Sequence, residues 1–402
     1  MENQPTRLLT VTGKDRPGLT ATLTATLSAI DVDILDVEQV VIRGRLLLGI
    51  LVTAPADDAS FDLFQREAEG LGLNVEVEHT TGDPHRRRPG RSHVTVLGLP
   101  LLPSALSAVT AAIGGADANV DRMRRVARYP VTAVELEVSG SAPDALRTLL
   151  SIVAADHGID IAVQPSGLHR RGKRLVVMDV DSTLVQGEVV EMLAARAGCE
   201  AEVAEITERA MQGELDFEQS LRARVAMLEG LSAEVLDEVR ADLRLMPGAR
   251  TLIRTLRRLG YRTAIVSGGF DQITAPLAAE LGIDHARANV LEIVDGRLTG
   301  RVAGAVVDRA AKADFLREVA TLEEVPLSST VAIGDGANDL DMIDAAGLGV
   351  AFNAKPVLRD AADTSVSKPY LDSILYLLGI TREEIEAADA EQGLTTPAPP
   401  VR

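Results

Sequence analysis

Two small α+β modules, followed by a doubly wound parallel α/β domain with a helical insert, form the fold that this sequence predicts. Three patterns carry the prediction. An order of apolar and amphipathic runs repeats within the first 165 residues, short apolar runs alternate with helical stretches after residue 174, and an Ala-, Glu-, Leu- and Arg-rich segment interrupts that alternation. At 402 residues the chain exceeds what a single core usually spans. Apolar residues make up 46% but aromatics only 2%, so the cores must be built from Leu, Val, Ile and Ala. The formal charge of −18 argues against general affinity for nucleic acid or an anionic membrane surface. No apolar stretch approaches the roughly 18 residues of a membrane span. One cysteine, Cys199, cannot form an intramolecular disulfide, and no secretory pattern opens the chain, so a cytoplasmic protein is expected.

In the first module, residues 1–83, strand-like runs fall at Arg7 to Thr12, Val32 to Ile42, Arg45 to Val52 and Leu73 to His79. Helical runs fall at Pro17 to Ile30 and Ser60 to Leu71. The order βαββαβ recurs over residues 92–165. There the strands are Ser92 to Gly98, Asn119 to Ala127, Val131 to Ser139 and Ile159 to Val163, and the helices Leu102 to Gly114 and Pro143 to His157. That order is the ferredoxin-like arrangement. The basic stretches Pro84 to Arg91 and Pro165 to Arg174 read as solvated linkers, because they sit between elements and lack interleaved aromatics.

Residues 174–380 form the third unit. Leu175 to Met178, Thr263 to Val266 and Val331 to Ile333 are short apolar runs, each ending in an acid pair or a glycine-rich turn, as strands of a Rossmann-like parallel sheet do. The insert from about 188 to 245 should fold as a helical cap above that sheet. Residues 381–402 are acidic and then proline-rich, a composition that predicts no fixed structure.

Three of these strand ends carry chemistry. Asp179 and Asp181, at i and i+2, leave the strand on one face. In open α/β sheets ligands bind beyond the carboxyl ends of the strands. The second strand end offers the Ser267 hydroxyl and the backbone of Gly268 and Gly269, and the third offers Asp335, Asn338 and Asp339. Lys312 adds a cation. Acids converging from separate strands repel one another unless a cation joins them, and such hard oxygen donors favour Mg²⁺. The expected ligands are Asp179, Asp335 and the main-chain carbonyl of Asp181. An in-line nucleophile, a metal and positive donors together suit phosphoryl transfer, with Asp179 as nucleophile and Asp181 as general acid and base.

Asp179-Val180-Asp181-Ser182-Thr183, Ser267-Gly268-Gly269, Lys312 and Gly334-Asp335-Gly336-Ala337-Asn338-Asp339 resemble, in order, the four motifs of the haloacid dehalogenase-like phosphatases, and within them the phosphoserine phosphatases. The resemblance covers roughly the last 230 residues. It implies an aspartyl-phosphate on Asp179, a phosphoryl group held by Ser267, Gly268, Lys312 and Asn338, and a metal-bound water oriented by Asp339. In the cap, Glu188 and Arg224 match the residues that meet the substrate ammonium and carboxylate, and Met211 and Phe217 match apolar residues that exclude water. The implied reaction is hydrolysis of O-phospho-L-serine to serine and phosphate, the last step of serine biosynthesis. The same chemistry on another phosphorylated amino acid or a phosphoprotein is the alternative enzyme reading, and an amino-acid-sensing regulatory protein is the alternative of another class.

Asp15-Arg16-Pro17-Gly18-Leu19 resembles the start of an ACT domain, a module that often binds amino acids. The resemblance implies an amino-acid ligand near Asp15 and Gly18, and serine, the expected product, is the effector expected there; Asp15 can cap the helix, Pro17 suits its first turn and Gly18 permits close backbone approach. The second copy has Gly98-Leu99-Pro100 instead. A homodimer through the N-terminal half is expected.

Overall fold

The computed structural model describes residues 5–30, 32–55, 58–81, 90–167, 172–211 and 214–396. The chain divides into two compact units, Met1–Arg88 and Pro89–Arg402. The linker expected at Pro84 to Arg91 lies almost wholly outside the described residues, as do residues 168–171 of the second linker and residues 397–402 of the tail.

The first unit contains β1 (Pro5–Lys14), β2 (Ile34–Ile42), β3 (Arg45–Thr53) and β4 (Leu73–Thr81), with helices Leu19–Ser28 and Phe61–Gly70. The sheet order is β2-β3-β1-β4, all antiparallel. Leu9, Val11, Leu48 and Ile50 face Leu23, Leu27 and Phe64 of the helices, and this layer is the core. The first helix starts at Leu19, two residues later than expected. Asp15 does not cap it: the capping position is Gly18, with no side-chain bond, while the Asp15 N–H donates to the Gly44 carbonyl at 2.8 Å. The need for glycine at 18 is also different in kind. Its φ is +91°, and a Cβ there would meet nothing within 4 Å, so backbone handedness rather than close approach selects it.

The second unit begins with β5 (Ser92–Gly98), β6 (Asn119–Ala127), β7 (Thr132–Ser139) and β8 (Asp160–Pro165), in the order β6-β7-β5-β8. Helices Pro103–Gly115 and Pro143–His157 cover one face. The other face does not meet solvent. Leu97, Val126, Val131, Ala133 and Ala162 share a core with residues of the large sheet that follows, and the Gln164 side chain donates to the Leu377 carbonyl at 2.8 Å. The second copy is therefore built into the larger domain.

That domain has seven strands: β9 (Leu175–Met178), β10 (Arg262–Phe270), β11 (His285–Val294), β12 (Arg297–Ala303), β13 (Thr330–Gly334), β14 (Gly349–Phe352) and β15 (Thr364–Val366). The order is β12-β11-β10-β9-β13-β14-β15. All pairs are parallel except β11 with β12. Asp295 and Gly296 turn that hairpin with φ +51° and +73°, the two positive values of a tight hairpin turn, so the Asp-Gly dipeptide makes the antiparallel edge. Side chains alternate across the sheet as a doubly covered strand requires. Val176, Met178, Ile265, Val331 and Ile333 point to one core, and Leu175, Val177, Ala264, Val266 and Ala332 to the other.

Four helices, Val189–Ala197, Glu200–Met211, Phe217–Ala226 and Val235–Asp242, form the cap over the expected insert. They pack around Leu193, Leu221, Leu228 and Val239, together with Leu291, Leu298 and Val302 of the β11–β12 hairpin. The two crossings into and out of the cap run side by side: the Gln186 N–H donates to the Arg244 carbonyl and the Met246 N–H to that of Leu184, both at 2.8 Å.

The expectation of an unstructured segment from residue 381 is overturned for its first half. Arg382–Glu391 is a helix, opened by a reciprocal Thr381/Glu384 cap. Ile385 is 1% exposed, and Asp389 is fully buried between Arg254 and Arg258 of helix Ala249–Arg258. An acidic composition alone does not forbid order when two arginines wait on the neighbouring helix.

Candidate active site

β9 lies between β10 and β13, with Met178 opposite both Ile265 and Ile333. The residues that follow these three strands therefore emerge side by side, at the point where the order of connections reverses. Asp179 and Asp181 come from the first, Ser267 to Gly269 from the second, Asp335 to Asp339 from the third. Lys312 reaches them from the first turn of helix Arg309–Leu322.

Lys312 is fully buried, and its Nζ lies 2.7 Å from both Asp179 Oδ1 and Asp339 Oδ1. Burial works against its charge, but the two carboxylates outweigh that and hold the ammonium above its usual range. Asp339 Oδ2 accepts from the N–H groups of Asp335 and Gly336, each at 3.1 Å, so both its oxygens are engaged. Asp179 Oδ1 also accepts the Val180 N–H at 2.8 Å. Burial, then the neighbouring Asp339 charge, pushes the Asp179 carboxyl well above the ordinary range. Burial also raises Asp181, although its Oδ1 accepts the Val189 N–H at 2.8 Å and its Oδ2 the Ser267 hydroxyl at 2.9 Å. Asp335 is pushed up to about 6 by burial and by Asp339.

Carboxylate oxygens of Asp179, Asp335 and Asp339 lie within 4.8 Å of one another. Three clustered acids, two of them with raised pKa, face the buried Lys312, with Lys355 at the rim acting on Asp335. A hard divalent cation bound by oxygen donors would relieve that repulsion, so the residues present fit one.

The same pocket contains Glu188 and Arg224 from the cap, with Phe217 at its wall and Asn338 and Lys355 at its rim. Glu188 is raised to about 7 by burial, then by Asp181 and Asp335. Burial lowers Arg224, against the pull of Glu188. The two share the pocket, yet no ion pair between them occurs among the described residues. The Ser182 hydroxyl donates to Glu188 Oε1 at 3.3 Å. The Phe217 ring stands 3.0 Å from the place a Cβ on Gly268 would take, so the ring closes down directly on the glycine turn. The structure thus brings together Asp179, Asp181, Glu188, Phe217, Arg224, Ser267, Gly268, Lys312, Asp335, Asn338 and Asp339. The Met211 side chain lies outside the described residues. Asp15 and Gly18 belong to the first unit and are not part of this pocket.

Two participants had escaped sequence reasoning. Asn289 is 1% exposed; its Nδ2 donates to the Gly268 carbonyl and its Oδ1 accepts the Val307 N–H, both at 2.8 Å, which fixes the glycine turn. Lys355 places an exposed ammonium at the rim, and its N–H donates to the Asp335 carbonyl at 2.9 Å. The Lys-Pro opening of helix Pro356–Ala361 was the available signal for Lys355. A lone Asn in an apolar run gave none.

Residues 176–344 match the haloacid dehalogenase-like hydrolase family, and residues 6–78 and 91–164 each match an ACT domain. The phosphoserine phosphatase of Streptomyces coelicolor is 62% identical over 388 residues, which cover 96% of this chain and 95% of that one. The phosphoserine phosphatase SerB2 of Mycobacterium tuberculosis is 54% identical, with 95% of each chain covered. The chain belongs to the phosphoserine phosphatase family. A solved structure of a probable phosphoserine phosphatase from Vibrio cholerae, unliganded, is similar at a TM-score of 0.58 and 36% identity, covering 76% of this chain and 90% of that one. Within this phosphoserine phosphatase family the pocket just described occupies the hydrolase domain, and the two βαββαβ modules are its ACT domains. No helix among the described residues is long and apolar enough to cross a membrane.

Proposed function

We propose that this chain is a Mg²⁺-dependent phosphoserine phosphatase that works through an aspartyl-phosphate. One observation carries the reading: a phosphoryl-transfer constellation and a pair of opposite charges, Glu188 and Arg224, line one pocket. A substrate bearing phosphate, ammonium and carboxylate on a three-carbon frame satisfies all of them. Arg224 takes the carboxylate through its planar fork and Glu188 the ammonium. A sugar phosphate would leave both half-buried charges without a partner on the ligand, which is costly.

Asp179 attacks phosphorus. Its Oδ1 is occupied by Lys312 and the Val180 N–H, so Oδ2 is the attacking oxygen. Asp181, held between the Val189 N–H and the Ser267 hydroxyl, keeps a proton in its buried setting and gives it to the departing serine oxygen. The same carboxylate then takes a proton from the water that hydrolyses the aspartyl-phosphate. The Ser267 hydroxyl, bonded to Asp181 in this structure, turns to the phosphoryl group when substrate enters, with the Gly268 and Gly269 backbone and Asn338 beside it. Lys312 neutralises the charge that builds on the Asp179 side. Asp179, Asp335 and the Asp181 carbonyl would hold Mg²⁺, which supplies charge neutralisation for the phosphoryl oxygens when bound. Asp339, with both oxygens engaged, stands behind these ligands and orients them. Phe217 keeps water out when the cap closes.

Serine acting at the first ACT module near Gly18, a homodimer through the N-terminal half, and residence in the cytoplasm belong to the same reading. The single Cys199, 8% exposed with its thiol bonded to the Ala194 carbonyl, is a packed thiol rather than a disulfide partner. Phosphate release from O-phospho-L-serine, O-phospho-L-threonine and a hexose phosphate, with and without Mg²⁺, tests the reading. Strong preference for phosphoserine, lost in Arg224→Ala through a raised KM, is expected. Equal rates on the hexose phosphate would refute the substrate assignment, and acid-quenched steady-state turnover in which mass spectrometry finds no phosphoryl adduct on Asp179 would refute the intermediate.

A further inference from the structure

Away from the catalytic pocket, a recess of ≈ 590 Å³ lies between the β6–β7 corner and the C-terminal helix Arg382–Glu391, lined by Arg125, Arg128, Tyr129, Arg382, Glu383 and Glu386. Its size is within the usual range of small-molecule sites. Its lining is of mixed sign: three guanidinium groups, two carboxylates and a phenol. Arg125 pairs with Glu383 at 3.0 Å, both about half exposed, so that pair opens at little cost. Arg382 is held more firmly, with its side chain 4% exposed and bonded to Glu386 and to Asp372. Arg128 is exposed and has no ion pair or hydrogen bond with any described residue.

A simple anion entering this recess would meet two glutamates, and a simple cation three arginines. A molecule with a carboxylate and an ammonium a few ångströms apart meets neither penalty. We propose that the recess is a second ligand site, selective for a small zwitterion of the α-amino-acid class, with Arg128 as the carboxylate anchor and Glu386 as the ammonium anchor.

The position of the site gives it a consequence. Arg382 reaches Asp372 at 3.3 Å, and Asp372 Oδ1 fills the space that a Cβ on Gly248 would need. The Leu371 N–H donates to the Pro247 carbonyl at 2.8 Å. Pro247 and Gly248 directly follow Leu245 and Met246, which pair with Val185 and Leu184 where the chain enters the cap. Occupation of the recess engages the helix whose first residue braces the return crossing of the cap, and so restrains that crossing.

The test uses the full chain and tyrosine emission, since the protein has four tyrosines and no tryptophan, and Tyr129 and Tyr376 are joined at this corner by a 3.3 Å bond from the Tyr376 hydroxyl to the Tyr129 carbonyl. Each common L-amino acid is titrated, with acetate and methylammonium as single-charge probes, in the wild type and in the Glu188→Gln background, where the catalytic pocket no longer takes an ammonium. At least one amino acid should saturate in both backgrounds. Arg128→Ala and Glu386→Ala, both changes at exposed side chains, should each weaken it at least tenfold, and the single-charge probes should bind at least tenfold more weakly. Amide exchange over residues 243–248 should slow on binding. Saturation unaffected by either alanine variant, equal binding of acetate, or no response to any amino acid overturns the site. Binding without protection of 243–248 overturns its link to the cap. The proposal does not depend on the phosphatase reading, because neither emission nor exchange reads turnover.

Discussion

Lys312 is the residue on which the acids of the site depend. It is fully buried, and it bridges Asp179 and Asp339 at 2.7 Å each. Removing one partner of a buried ionic cluster typically costs about 3–5 kcal/mol, because the remaining charges stay out of water. Lys312→Met should therefore lower the unfolding free energy by about that amount in metal-free buffer, measured by denaturant titration. Mg²⁺ should recover part of the loss, since a cation among Asp179, Asp335 and Asp339 does the work of the missing ammonium. Equal stability of variant and wild type without metal would show that these carboxyls are protonated in the resting protein. The acids also set a pH dependence for the metal. Asp335 is held at about 6 by burial and by Asp339, so below that pH a proton occupies the carboxyl and competes with a cation. Mg²⁺ affinity should rise from pH 5 to pH 7 by roughly tenfold for each proton displaced, and calorimetric titration at several pH values reads it directly. An affinity that stays flat over this window would remove Asp335 from the ligands.

At the scale of elements, the glycine turn after β10 is held by a residue of the next strand. Asn289 on β11 ties the Gly268 carbonyl to the Val307 N–H, and so joins the turn to the chain that leads into the Lys312 helix. Asn289→Ala should leave two polar groups, the Gly268 carbonyl and the Val307 N–H, without this partner. We expect kcat to fall by about tenfold to a hundredfold, as when a small misplacement weakens an aligned site, with KM less affected. A change confined to KM would mean that Asn289 shapes substrate entry instead. This contact marks where the sequence ceased to be legible. Asp179, Asp181, Ser267, Asp335 and Asp339 could be read because each follows a short apolar run, and strand ends in such sheets are where ligands bind. The helical cap was readable from its composition. The β11–β12 hairpin was missed although Asp295-Gly296 is a strong hairpin signal, because the alternation of strand and helix around it suggested a uniformly parallel sheet. Asn289 sits in that hairpin, and its role exists only through contacts to Gly268 and Val307, about twenty residues away on either side. Spacing along the chain carries no trace of such a bond.

For the whole molecule, the order of the C-terminal helix and the integration of the second ACT module have one physical origin: an apolar surface left by one element is covered by another that looks polar in isolation. Leu97, Val126 and Ala162 of the module, and Ile385 of the helix, enter the same core as Val176 and Met178 of the catalytic sheet. Asp389 fastens the helix. Its two carboxylate oxygens accept from Arg254 at 2.9 and 2.6 Å, and Arg258 and the Thr396 hydroxyl bond to it as well. Burial alone would raise its carboxyl, but the hydrogen bonds from Arg254, Thr396 and Arg258 prevail and hold it down to about 2. A carboxyl depressed in the folded state contributes stability that is complete above its unfolded value near 4 and is lost as the pH falls towards 2. The partial hydration of Arg254 and Arg258 screens the cluster, so its share is about 1–2 kcal/mol rather than the full linkage value. Asp389→Asn should accordingly destabilise the second unit by that amount at pH 7 and by progressively less as the pH is lowered from 4 to 2, where the two proteins should converge. The loss should appear first as faster amide exchange in residues 382–391, ahead of the catalytic sheet, because the helix can leave before the core opens. A variant equally destabilised at pH 7 and pH 2.5 would show that packing of the Asn side chain, and not the charge of Asp389, holds the helix in place.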